Sequence, residues 1–178
     1  MRSKDHPAAG GPRAARAEGP RCLAILGMIM RRMVDLSLHV AWRSEVLLQA
    51  DRTDDAKESA LRALELALVH KERGYQAWIL RLLGEIQLKG AARQSDEAEA
   101  YFEQALALGD ELGMDPLRAH CLLGLGAAYE RTGRLRRAYT LLSTAGVLYR
   151  TMGMTFWLPR TEAALERLRA AGGPQAKE

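Results

Sequence analysis

From Leu36 onward, apolar residues recur at intervals of three and four, the spacing that gathers them on one face of a helix. No segment alternates in the two-residue rhythm of a half-buried strand. Short polar breaks interrupt the pattern at Asp51 to Thr53, Arg73-Gly74, Lys89 to Ser95, Gly113 to Pro116, Thr132 to Arg134 and Gly153 to Thr155, which predicts an all-α chain of helices about 15 to 19 residues long. Gly74, Gly113 and Gly153 are expected at left-handed C-terminal caps. Asp115 is expected to cap a helix that has Pro116 in its first position. Ser95, with Asp96 and Glu97 behind it, is expected to open another helix in the same way.

The segments also align on one another. RSEVLLQADRTDDAKESALRALELA, LGEIQLKGAARQSDEAEAYFEQALALG and LGAAYERTGRLRRAYTLLSTAGVLY each read as a helix, a short turn and a second helix. In that register Ser44, Gly84 and Gly126 are equivalent at spacings of 40 and 42, and Ala56, Ala98 and Ala138 are equivalent at 42 and 40. Four and seven residues beyond those alanines stand Ala60 and Ala63, Phe102 and Ala105, Leu142 and Ala145, each set on one helical face. The small residues predict close helix crossings, with Phe102 and Leu142 filling the space between units. The last segment, Phe156 to Ala170, sets Trp157, Leu158, Ala163, Leu165 and Leu168 against Arg160, Glu162, Arg167 and Arg169. It is expected to be a closing helix with Pro159 in its first turn.

Leu83-Gly84, Leu125-Gly126 with Tyr129, Ala98-Phe102-Ala105 and Ala138-Leu142-Ala145 together form a pattern that resembles the tetratricopeptide repeat. Units of that family pair Leu-Gly and a nearby Tyr on the first helix with Ala, a large apolar residue and Ala on the second. The likeness covers Leu36 to about Leu168. It departs from the family in a period longer than about 34 residues, in Arg43-Ser44 where Leu-Gly is usual, and in Gln87 where Tyr is usual. The phrases GDELGMDPLRAHCLLGLGAAYERTGR and YRTMGMTFWLPRTEAAL further resemble the C-terminal helical-repeat arrays of large bacterial ATP-binding transcriptional regulators and of adenylate or guanylate cyclases. The resemblance implies an α-solenoid of antiparallel helix pairs, about three extended repeats plus a closing helix, over residues 36–170. One pair alone cannot bury its apolar face, so three are the expected minimum. It also implies either a complete adaptor or the C-terminal fragment of a larger regulator.

Composition constrains the setting. With 178 residues, 48% of them hydrophobic and 27% charged, the chain is long enough for one core without disulfide staples. Residues 1–21, rich in Gly, Pro, Ala and Arg, are expected to form a disordered basic tail. Residues 22–35 hold a nine-residue apolar run, Cys22 to Met30, expected as a lead-in helix and too short to span a bilayer. Residues 171–178 are expected to be disordered, and Met28, Met30 and Met33 offer later start sites. Cys22 and Cys121 form no CxxC motif or disulfide framework, so a reducing, cytoplasmic setting is expected. The net charge of +4 divides into +5 over residues 1–32, −7 over 33–115 and +6 over 116–178. That polarity, rather than uniform basicity, removes most of the case for nucleic acid and suits end-to-end contact with a partner or a second copy.

Candidate chemistry is sparse. There is no phosphate-binding GxxxxGK[ST] loop and no HExxH or paired His/Cys spacing. His120 and Cys121, adjacent on a helix, are expected to be an ordinary surface and core pair, and Glu97, Glu99 and Glu103 a solvated face. Arg131, Arg134, Arg136 and Arg137 are expected to be a solvated basic turn. No catalytic residue, cofactor or metal ligand is assigned. Carried through the repeat register, first helices should line a concave groove with Ala41, Glu45 and Leu48, then Trp78, Arg81, Glu85 and Lys89, then His120, Leu123, Ala127, Glu130 and Arg131. Repeat packing is assigned to Gly84, Ala98, Phe102, Ala105, Gly126, Tyr129, Ala138, Leu142 and Ala145. The expected function is non-catalytic binding of a partner's peptide or helix, with a regulatory or sensor role at the end of an ATP-dependent regulator or cyclase as the alternative. A protein or peptide is the expected partner; self-association and contact with a missing N-terminal region are the other possibilities weighed.

Overall fold

The computed structural model describes residues 36–90 and 95–172, so the tail expected at 1–21, the lead-in at 22–35 and positions 173–178 lie outside the described residues. The described part is all-α, with no strand among the described residues. Its helices are α1 (Leu36–Gln49), α2 (Thr53–Val69), α3 (Arg73–Lys89), α4 (Ser95–Leu112), α5 (Asp115–Arg131), α6 (Leu135–Thr151), a 3₁₀ turn (Thr155–Trp157) and α7 (Leu158–Ala170). Each packs against its neighbours in sequence. The odd-numbered helices also meet one another directly, α1 with α3, α3 with α5 and α5 with α7, and so form a row.

The even helices bury a face set by one spacing. Ala56, Ala60, Ala63 and Ala67 of α2, Ala98, Phe102, Ala105 and Gly109 of α4, and Ala138, Leu142, Ala145 and Tyr149 of α6 are all buried. These positions stand at i, i+4, i+7 and i+11, one stripe of a helix. The odd helices answer with Ser44, Gly84 and Gly126, also buried. A Cβ on Gly84 would stand 2.8 Å from the Phe102 ring, and one on Gly126 would stand 2.6 Å from Leu142 Cγ. Gly124 also closes on Phe102, so that single ring lies between α3 and α5. Spacing continues into α7: Ala119 is followed 42 residues later by Thr161 and Gly126 by Leu168, all buried. The closing helix therefore stands where the first helix of a further pair would.

The turns share one geometry. A left-handed residue ends each of five helices: Asp51 and Lys71 (both φ 57°), Gly113 (64°), Gly133 (73°) and Gly153 (68°). The residue after each donates its N–H five positions back, as in Glu72 to Ala67 at 2.8 Å, Met114 to Gly109 at 2.8 Å and Met154 to Tyr149 at 2.8 Å, the bond that closes a Schellman cap.

Several boundaries differ from expectation. Gly74 is not a cap but the second residue of α3; Lys71 takes the left-handed position, because the stripe ends at Ala67 and the cap follows it by four. Asp115 is the first residue of α5 rather than its cap, which falls on Met114. Ser95 begins α4, and its buried hydroxyl has no hydrogen-bond partner, so it performs no capping. The final segment turns through the 3₁₀ residues before α7 begins at Leu158. Ala171 and Gly172 belong to the ordered turn that closes α7, bonding back to Arg167 and Arg169.

Candidate functional site

Two adjoining depressions open on the row of odd helices. Glu85, His120, Trp157 and Arg160 line both. The first continues over Leu123, Ala127, Leu142 and Ala164, the second over Glu45, Leu48, Trp78 and Arg81. Repeat spacing explains the convergence of the residues on α3 and α5: Trp78 and His120 are 42 apart, as are Arg81 and Leu123, so each pair holds one register position on successive odd helices.

Aromatic rings meet around His120. Its ring centroid lies 4.5 Å from Trp157, 5.5 Å from Tyr149 and 5.8 Å from Trp78, while Tyr149 and Trp157 stack at 6.2 Å with their planes 17° apart. The Tyr149 hydroxyl bonds His120 Nδ1 at 2.9 Å. Tyr149 holds the fourth position of the buried stripe, where α2 and α4 have Ala67 and Gly109; the larger residue here crosses from α6 to the imidazole. Burial, reinforced by the positive charges of Arg81 and Arg160, lowers the His120 pKa to about 4, so the ring is neutral at pH 7. His120 is therefore not the surface member of a surface and core pair; only 8% of it is exposed, a consequence of helix packing on three sides. Cys121 beside it is buried in the core, where desolvation raises its thiol pKa to about 12 and keeps it protonated.

Arg81, almost wholly buried, bridges Glu85 at 2.5 Å and Glu45 at 3.1 Å, and its guanidinium lies 5.1 Å from the Trp78 centroid. The three helices α1, α3 and α5 thus share one charged and aromatic network. Glu45, Leu48, Trp78, Arg81, Glu85, His120, Leu123 and Ala127 are brought together at the two depressions. Ala41 is buried in the core beneath them rather than lining them.

Lys89, Glu130 and Arg131 are placed differently, each spent on a tie near a helix end. Lys89 bonds the Leu48 carbonyl at 2.6 Å and Asp51 at 2.9 Å. Arg131 bonds the carbonyls of Leu88 and Gly90, and Glu130 pairs with Arg167 at 3.1 Å. Tyr129 supports packing with a polar tip: its hydroxyl donates to Glu99 at 2.6 Å under the Arg134 guanidinium, 4.0 Å from its ring centroid. Glu99 is therefore not part of a solvated face. The hydrogen bond from Arg134, aided by that from Tyr129, outweighs burial and holds its carboxyl below the ordinary value. Of the basic turn, Arg131 and Arg134 are engaged, and Arg136 and Arg137 are exposed. Gln87, where the repeat family has Tyr, is buried and bonds Glu97.

Sequence reasoning left Tyr149, Trp157, Arg160 and Ala164 out of the groove. The 42-residue spacing carried one step further makes the last helix a fourth member of the odd row and so reaches Arg160 and Ala164; Tyr149, on α6, and Trp157, in the turn before α7, have no repeat counterpart to flag them. Among the described residues no three metal-ligating side chains gather, and no helix is long and apolar enough to cross a membrane. A scan against protein-family models finds no match, and a search of curated proteins finds none either.

Proposed function

We propose that this chain is a tetratricopeptide-like α-solenoid acting as a protein-interaction module, without catalysis of its own, that takes a partner's peptide or helix along the row of odd helices. The observation that carries this reading is the convergence of Trp78, Arg81, Glu85, His120 and Trp157 on one face of helices that touch each other directly. A Trp and an Arg held rigid by neighbours lose little freedom on binding and are the side chains most often found at the centre of protein contacts. The mixed charges, with Arg81 and Arg167 each paired to a glutamate, fit a protein surface better than a phosphate-tracking stripe. The test is selection of displayed random peptides on the purified chain. Enriched peptides whose affinity falls at least tenfold on Trp78→Ala support the groove; enrichment indifferent to that change, or none, overturns it.

A second reading has its own support. Trp42 and Val46, one turn apart on α1, are more than half exposed, as are Leu68 and Val69 at the end of α2, so the first helix pair shows large apolar side chains to solvent. Such a face suits the regulatory end of an ATP-dependent regulator or cyclase, where it would rest on another domain. Sequencing the bases upstream of the start codon decides this: an in-frame ATPase or cyclase segment supports it, and an unrelated upstream gene sinks it.

A further inference from the structure

Among the described residues that line the two depressions, charge pairing leaves Arg160 over. Arg81 is neutralised by Glu45 and Glu85, Lys89 by Asp51, and Arg167 by Glu130. Arg160, exposed at the rim, has no ion pair among the described residues; its guanidinium lies 6.0 Å from the Trp157 ring centroid. Below it the depression is floored by Leu123, Ala127, Leu142 and Ala164 and walled by Trp157. That wall is fixed, since Trp157 is held edge-on by His120 and face-on by Tyr149.

Size selects among ligands. The depression beside Trp157 holds about 170 Å³, below the roughly 300 to 1,000 Å³ typical of small-molecule and cofactor sites, and it opens beside the second, of about 350 Å³. The first has the room of a handful of waters at about 30 Å³ each, which is the scale of one aliphatic side chain. Charge selects further. Arg160 and Arg167 stand at this depression with Glu85; Glu85 is taken by Arg81 and Arg167 by Glu130, which leaves the Arg160 charge uncompensated at the rim. A neutral imidazole adds no competing cation at pH 7.

We propose that the depression beside Trp157 is a side-chain pocket for partner segments in which an aliphatic residue adjoins an aspartate or glutamate, the aliphatic group entering over Leu123 and Ala164 and the carboxylate pairing with Arg160. This rests on the peptide-groove reading and names the class of segment the groove takes. Binding would supply the counter-charge that Arg160 lacks, and burial of the aliphatic group would contribute most of the affinity, because an exposed ion pair alone is worth little.

The experiment extends the peptide selection. Peptides enriched on the wild-type chain should share Asp or Glu beside Leu, Ile, Val or Met. A synthetic peptide with that acid changed to its amide should bind at least fivefold more weakly, as should the parent peptide on Arg160→Glu. A peptide with Lys in place of the acid should recover affinity on Arg160→Glu, and added salt should weaken the parent interaction. Arg160 is exposed, so thermal unfolding of the variant should match wild type and confirm an intact fold. Enriched peptides without the acid, or binding unchanged by Arg160→Glu, overturn this inference while leaving the groove standing. Failure to enrich any peptide overturns the groove and this inference together.

Discussion

In the third helix pair, Gly126 of α5 lies where a Cβ would stand 2.6 Å from Leu142 Cγ; in the first pair the equivalent Ser44 gives its hydroxyl to the Ala56 carbonyl at 2.7 Å. The second helix of the first pair offers Ala60 where the third offers Leu142. A small residue against a small one lets the helices close, and a second serine, Ser59, bonds the Val40 carbonyl across the same junction at 3.1 Å. The third pair closes instead by seating a large side chain on bare backbone. One register is thus satisfied by hydrogen bonds at one end and by shape at the other, and the two junctions should fail in different ways.

The sharpest break of that contrast is Gly126→Leu. A helical Gly gains up to about 1 kcal/mol in propensity on replacement, but here the new side chain meets Leu142 within a packed junction, where overpacking costs about 1 to 3 kcal/mol or more. Because Leu142 is fully buried and has little room to give, a net loss of about 2 kcal/mol or more, up to outright unfolding, is expected in thermal or urea unfolding, and an unchanged midpoint would mean the helices do not cross at this residue.

Acid should also strike the third pair. His120 has a folded pKa of about 4 against an ordinary value of 6.5, so between those values the unfolded chain binds the proton that the folded chain refuses. Stability from this group is complete above about pH 6.5 and falls as pH drops toward 4, by about 3 kcal/mol at most. Urea unfolding of wild type against His120→Gln across that window isolates the effect. Parallel pH profiles would show that the imidazole is not buried as described.

Ser44→Ala should be milder, about 1 kcal/mol, the net worth of one hydrogen bond whose acceptor already serves a helix. Its readout is the urea midpoint with unchanged slope. Smallest, and opposite in sign, is Gly74→Ala: nothing lies within 4 Å of the added carbon, and at the second position of α3 part of the interior helix-propensity gain, about 0.5 kcal/mol or less, should appear as a raised urea midpoint. Together with Gly126→Leu it separates a glycine that packing requires from one it does not.

Much of this fold is legible along the chain because its contacts are local. Ala98, Phe102 and Ala105 declare a buried stripe by spacing alone, and Gly126 with Leu142 declares a crossing by the match of a missing side chain to a large one. The Gly74 cap misled because glycine is the usual left-handed residue, while here Lys71 accepts that conformation at a cost near 1 kcal/mol. The candidate site was legible only in part. Trp78, Arg81 and His120 follow from the register, but Trp157 and Tyr149 join them through a helix that ends the row and a residue that departs from the repeat, and neither has an internal copy to align with.

The Phe102 ring, held between Gly84 and Gly124, belongs to the interiors of two helix pairs at once. Neither pair can open toward solvent without uncovering it, so amide hydrogens of α3, α4 and α5 should exchange as one protected block, while α7 and α1 fray independently at lower free energy. The ring would act as a rivet, setting the smallest length of chain that can come undone in a single event.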